Sequence, residues 1–131
     1  VRFVDTSFWI ALQSQRDRNH AAARSLVEGG LGPLLTSNHV VGETWTFVRR
    51  RYGHGGAVAS VRALREVPSL TILHVEPEVE DDAWRWLSRH DEREYSFTDA
   101  TSFAVMRRRR MREALAFDGD FSAAGFVEVR P

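Results

Sequence analysis

Short apolar runs alternate with longer stretches of helical periodicity along this chain of 131 residues. Val1-Arg2-Phe3-Val4, Leu34-Leu35-Thr36, Leu70 to Val75, Ala114 to Phe117 and Phe126 to Val129 read as five strands, each short and bounded by turn or helix-start residues. Helices are predicted from about Ser7, over His20 to Glu28, over His39 to Tyr52, over Ala57 to Val67, from Pro77 to near Arg89, and around Asp99. A short turn or helix follows Asp120. Gly29 to Pro33 is a turn, and Gly53-His54-Gly55-Gly56 separates two helices. Alternation of this kind predicts a parallel sheet with right-handed crossovers. The expected architecture is a single α/β domain over residues 1–131, with about five central parallel strands and helices on both faces.

Four acids fall where this pattern calls for apolar or covered positions. Asp5 ends the first strand, and Asp118 ends the run Ala114-Leu115-Ala116-Phe117. Asp99 follows Ser96-Phe97-Thr98, a helix-start sequence, and shares a stripe with Phe103 and Met106. In the His39–Tyr52 helix, Val41, Trp45, Val48 and Tyr52 form one apolar face, while Glu43 lies opposite, beside Val40 and Phe47. A helix apolar on both sides is covered on both sides, so Glu43 is expected to be shielded, and Trp45, Phe47 and Tyr52 are expected in the core.

A buried, unpaired carboxylate costs several kcal/mol. Open parallel sheets bind ligands outside the carboxyl ends of their strands. Acids gathered there are tolerated if they share divalent cations, and hard oxygen donors select Mg²⁺ or Mn²⁺. One or two such ions are the metal chemistry that phosphodiester hydrolysis uses. Any single one of these acids is an ordinary cap or turn residue; it is the combination that points to a metal site.

Composition removes several competitors. Cysteine is absent, which excludes disulfides, thiolate catalysis and Cys-ligated zinc. Lysine is absent too, so all 18 basic residues are arginine. That argues against aspartyl-phosphate enzymes and receiver domains, which rely on a lysine at the phosphoryl group. The glycine-rich segment at 53–56 lacks the Gly-Lys-Ser/Thr ending of a phosphate loop. His39, four residues before Glu43, shares a helical face with it, but a helix-start histidine is more often solvated or capping. Net charge is zero, yet Arg49-Arg50-Arg51 and Arg107 to Arg110 with Arg112 concentrate guanidinium groups at two helix ends. Dipole pairing accounts for such runs, and polyanion binding accounts for them equally well. No apolar stretch approaches the roughly 18 residues of a membrane span, and no signal peptide is visible. A cytoplasmic location without membrane association is expected.

Val4-Asp5-Thr6-Ser7, the helix-borne Glu43, Ser96-Phe97-Thr98-Asp99-Ala100 and Phe117-Asp118-Gly119-Asp120-Phe121 resemble, in order, the signature blocks of PIN-domain nucleases, specifically the VapC toxins of VapBC toxin–antitoxin modules. The resemblance implies a Mg²⁺- or Mn²⁺-dependent endoribonuclease acting on tRNA or rRNA, with Asp5, Glu43, Asp99 and Asp118 as its acidic quartet. It implies Asp120 as a secondary acid and Thr6, Ser7 and Thr98 as supporting hydroxyls. It further implies neutralisation by a VapB-type antitoxin and a homodimer. Ala116 departs from the family, where many members carry a hydroxyl residue. The alternative is a catalytically silent module that keeps the fold for RNA or protein association.

Overall fold

In the computed structural model, which describes residues 1–131, the five apolar runs form one all-parallel sheet. Its strands are β1 (Arg2–Val4), β2 (Leu34–Ser37), β3 (Leu70–Leu73), β4 (Glu113–Leu115) and β5 (Val127–Glu128). They lie side by side in the order β3-β2-β1-β4-β5. The helices are α1 (Thr6–Gln13), α2 (His20–Glu28), α3 (Asn38–Arg65), α4 (Pro77–Ser88), α5 (Phe97–Arg108) and α6 (Asp120–Ala123). The chain moves one way from β1 to β3 and then jumps back across β1 to β4. With right-handed crossovers, that reversal puts α1–α3 on one face and α4–α6 on the other. The reversal also opens a crevice at the carboxyl ends of β1 and β4, the place where open α/β sheets take ligands.

Three strands are shorter at their carboxyl ends than the apolar runs suggest. β3 stops at Leu73, β5 keeps only Val127 and Glu128, and β4 ends at Leu115. The β4 end has a clear cause. Beyond it, the Phe117 N–H donates to the Ser7 hydroxyl at 3.0 Å instead of joining a strand ladder. Asp118 therefore sits three residues past the strand rather than at its tip.

Helix α3 joins the two helices expected there, and Gly53 marks their boundary with φ 88° and ψ 177°. Only glycine adopts this backbone conformation without strain. The buried stripe of the first half is Val40, Thr44 and Val48, not the expected Val41, Trp45, Val48 and Tyr52. Thr44 is hidden because its hydroxyl donates to the Val40 carbonyl at 2.8 Å, which makes a polar residue fit for the interior. This phase leaves Phe47 39% and Tyr52 48% exposed, so neither is a core residue. Trp45 is half-buried against Ile10, Val48 and Ala57.

The core fills the two sides of the sheet with Phe3, Val4, Phe8, Leu35, Leu115 and Phe121, and with helix α5. Asp99 to Met106 are all buried, so α5 is wrapped on every side. Small side chains allow this: Ala100 and Ala104 pack against Ala83 of α4. No helix is long and apolar enough to cross a membrane.

Candidate active site

Asp5 follows β1 directly and caps α1. Its Oδ2 accepts from the Ser7 backbone N–H at 3.1 Å and the Ser7 hydroxyl at 2.7 Å. Because Ser7 Oγ also accepts from Phe117, a hydrogen-bond chain links Asp5 to the segment leading out of β4. The carboxylate is 2% exposed, and its other oxygen, Oδ1, is buried without a donor. Burial pushes the Asp5 carboxyl well above the ordinary range, and the nearby Asp118 and Asp99 charges push it further against the opposing Ser7 bonds.

Asp99 is the third residue of α5 and completes a capping box. Its Oδ2 accepts from the Ser96 N–H at 3.0 Å, and its own N–H donates to Ser96 Oγ at 2.9 Å. It is 6% exposed, and burial raises its pKa to about 7 despite the Ser96 bond; Asp120, Asp118 and Glu43 add repulsion. Both buried acids occupy helix starts, where backbone N–H groups favour the anion, yet burial outweighs that benefit.

Asp118 and Asp120 stand on the turn into α6, where Gly119 takes φ 83°. Carboxylate oxygens of Asp99, Asp118 and Asp120 lie within 4.8 Å of one another. Asp118 is exposed as a residue, yet desolvation of its carboxyl and the neighbouring Asp120 and Glu128 raise its pKa, against the Asp120 backbone bond. Asp120 thus belongs to the tightest acid cluster, although Arg93 also holds it through Nε at 2.9 Å. Glu43 shares one cavity of about 320 Å³ with Asp5, Ser7 and Asp118. The five acids expected from the sequence therefore converge.

The hydroxyl residues divide. Ser7 touches an acid, whereas the Thr6 hydroxyl is directed at the Val40 carbonyl, 3.5 Å away, tying α1 to α3. Thr98 contributes its carbonyl, which accepts from Thr101 at 2.8 Å and Ser102 at 2.9 Å. His39 turns to Glu80 at 2.8 Å and is occupied there.

Several participants were not visible in the sequence. Arg93 also reaches the Asp118 carbonyl at 3.3 Å. Glu128, its side chain 3% exposed, accepts from the Gly119 N–H at 3.3 Å and the Ser122 N–H at 3.0 Å and so fixes the acidic turn. Asp17, Arg18 and Asn19, in the loop after α1, line the same cavity as Glu43 and Phe47. Glu128 falls inside the closing apolar run, and nothing beside it in the sequence marks it as the acid that holds this turn.

An oxygen-only donor set, one orphaned buried carboxylate oxygen and mutual repulsion among the acids together fit a hard divalent cation. Asp99, Asp118 and Asp120 lie close enough together to hold it, with Asp5 and Glu43 beside Asp118 on the same crevice.

The chain matches the PIN domain family over residues 2–127. It is 57% identical over 129 residues to the 23S rRNA-specific endonuclease VapC20 of Mycobacterium tuberculosis, with 98% of each chain covered. It is 28% identical over 124 residues to a VapC ribonuclease of Archaeoglobus fulgidus, covering 91% of this chain and 78% of that one. Among solved structures, the crystal structure of M. tuberculosis VapC20, described as a sarcin–ricin loop cleaving toxin, aligns with a TM-score of 0.93 at 56% identity over the full length of both chains. A toxin–antitoxin complex from Klebsiella pneumoniae shares the fold, with a TM-score of 0.67 at 15% identity over 98% of this chain and 100% of that one. The chain belongs to the PIN-domain family, in its VapC branch.

Proposed function

We propose that this protein is a Mg²⁺- or Mn²⁺-dependent endoribonuclease that hydrolyses a phosphodiester bond in ribosomal RNA, with Asp5, Glu43, Asp99 and Asp118 as its catalytic acids. The observation that carries this reading is the convergence of acids from β1, α3, α5 and the β4–α6 turn on one crevice. When bound, the cation supplies an activated water and neutralises charge on the leaving oxygen. Ser7 fixes the orientation of Asp5 and leaves its second oxygen free of donors. The Asp99 capping box does the same from the opposite wall. Asp120, held by Arg93, is a secondary acid.

The 23S rRNA specificity of the M. tuberculosis relative supports ribosomal RNA over tRNA as the substrate. We infer the role of a toxin neutralised by a VapB-type antitoxin, and a cytoplasmic location, where ribosomes are. Trp84, 57% exposed and stacked on Phe97 at 4.2 Å, offers apolar surface for a homodimer. A silent binding module is the weaker reading, since such a module gains nothing from buried, mutually repelling carboxylates.

The test is incubation of the purified protein with ribosomes, followed by mapping of 23S rRNA 5′ ends. One dominant cut, lost in EDTA and in Asp5→Asn, is expected. Hydrolysis by water leaves 5′-phosphate and 3′-hydroxyl ends. Cleavage that persists in excess EDTA, or a 2′,3′-cyclic phosphate from attack by the 2′-hydroxyl, overturns the mechanism.

A further inference from the structure

The face of α3 that carries Glu43 continues away from the acids. Thr46, Phe47, Arg50 and Arg51 follow it at i+3, i+4, i+7 and i+8, so all five share one stripe. With Thr6 they line a second cavity of about 590 Å³. Thr6, Glu43 and Phe47 border both this cavity and the acidic one, which makes the two a continuous trough.

Its ends carry opposite charge. Arg50 lies seven residues from Glu43, about 10 Å along the helix, and neither Arg50 nor Arg51 is paired with a carboxylate. The Arg51 guanidinium leans on the Tyr52 ring at 6.0 Å, and the Tyr52 hydroxyl meets Ser14 at 2.9 Å, so this rim is braced. Dipole pairing near the Gly53 break explains the arginines alone. It does not explain a 39% exposed phenyl ring placed between them and the acids.

We propose that this stripe is a subsite for unpaired RNA, in which Phe47 stacks on a base beside the scissile phosphate and Arg50 and Arg51 hold the next phosphates along the strand. This rests on the nuclease reading above. An acidic crevice repels the backbone it must cut, and guanidinium groups about 10 Å away reverse that field. Aromatic stacking tolerates any base but requires an unstacked one, so the subsite selects loops over duplex.

The test uses Asp5→Asn as a cleavage-silent parent and a fluorescein-labelled RNA hairpin carrying the sarcin–ricin loop, with binding read by anisotropy across a salt series. Adding Phe47→Ala is expected to weaken binding about tenfold with an unchanged salt slope, and Phe47→Trp to restore it. Adding Arg50→Ala and Arg51→Ala together is expected to weaken binding and to lower the slope by about 1 to 1.5. Arg62→Ala, beyond the Gly53 break, serves as the charge control and is expected to leave both readings unchanged. Variants that bind as tightly as the parent, while wild type cuts the hairpin, overturn the subsite and leave the nuclease standing. Losses that persist although wild type cuts no RNA support the subsite and count against the nuclease. A Phe47→Ala protein that binds RNA normally but sediments as a smaller species assigns this face to a second copy and overturns the proposal.

Discussion

The acidic crevice has two unlike halves. Asp5 and Asp99 are sealed in the interior, each at a helix start, each bonded through one oxygen to a nearby serine. Asp118 and Asp120 ride on a glycine turn at the mouth, held by Arg93 from outside and by Glu128 from beneath. Burial is the largest influence on the Asp5, Asp99 and Asp118 carboxyls alike, but Asp5 and Asp99 are buried residues, whereas Asp118 is exposed and Asp120 half-buried. The interior pair is costly to ionise without a cation, whereas the mouth pair is already engaged, Asp118 by the Asp120 N–H and Asp120 by Arg93.

The contrast breaks most visibly in activity. Asp5→Asn or Asp99→Asn is expected to lower RNA cleavage by about a thousandfold or more, while Asp120→Asn costs about tenfold or less because Arg93 already engages that carboxylate. Single-turnover cleavage rates at saturating Mg²⁺ distinguish the two halves, and equal losses would erase the distinction.

The pH dependence of metal-free stability comes next. Asp99 titrates near 7 in the folded protein against 3.8 as its ordinary value, so folding disfavours its ionised form. Its contribution is most favourable below about pH 4 and is lost as pH rises through 7, a change of a few kcal/mol. Asp5 is shifted in the same direction. In EDTA, the denaturation midpoint is therefore expected to fall from pH 5 to pH 8. Asp99→Asn should flatten that fall and raise stability at pH 8, and saturating Mn²⁺ should stabilise wild type most where the metal-free protein is weakest.

Smaller effects test the mouth. Glu128→Ala leaves the Gly119 and Ser122 N–H groups without their acceptor, and a loss of about 1–2 kcal/mol in chemical denaturation is expected. Arg93→Ala removes a solvent-exposed ion pair to Asp120 and should change stability little. Its clearer signature is a change in Mn²⁺ affinity measured by calorimetry, because Asp120 is freed.

Local sequence exposed the parts of this site that depend on local rules. Asp5 and Asp99 could be placed because a strand end and a helix start have recognisable patterns, and Asp118-Gly119 because a glycine turn does. The phase of α3 could not be read, since Thr44 counts as polar until its hydroxyl finds the Val40 carbonyl four residues back. Phe47 and Tyr52 were expected inside for the same reason. Arg93 and Glu128 act on the acidic turn across 27 and 9 residues, respectively, through partners that only the folded chain brings near. Thr6 lines the acidic cavity while its hydroxyl faces the Val40 carbonyl, a direction that its place in the sequence does not reveal.

The central strand of this sheet is the first one made, and its two neighbours come much later. Phe3 sits beside Leu35 on one side and Ala114 on the other, and Ser7 waits for Phe117, 110 residues downstream. Asp5 and Glu43 come long before the segment that braces Asp5 through Ser7 and brings Asp118, and Asp99 stands between. A chain in which β4 has not yet docked on β1 consequently has no finished blade. Completion of the crevice is thereby tied to the longest-range strand pairing in the sheet.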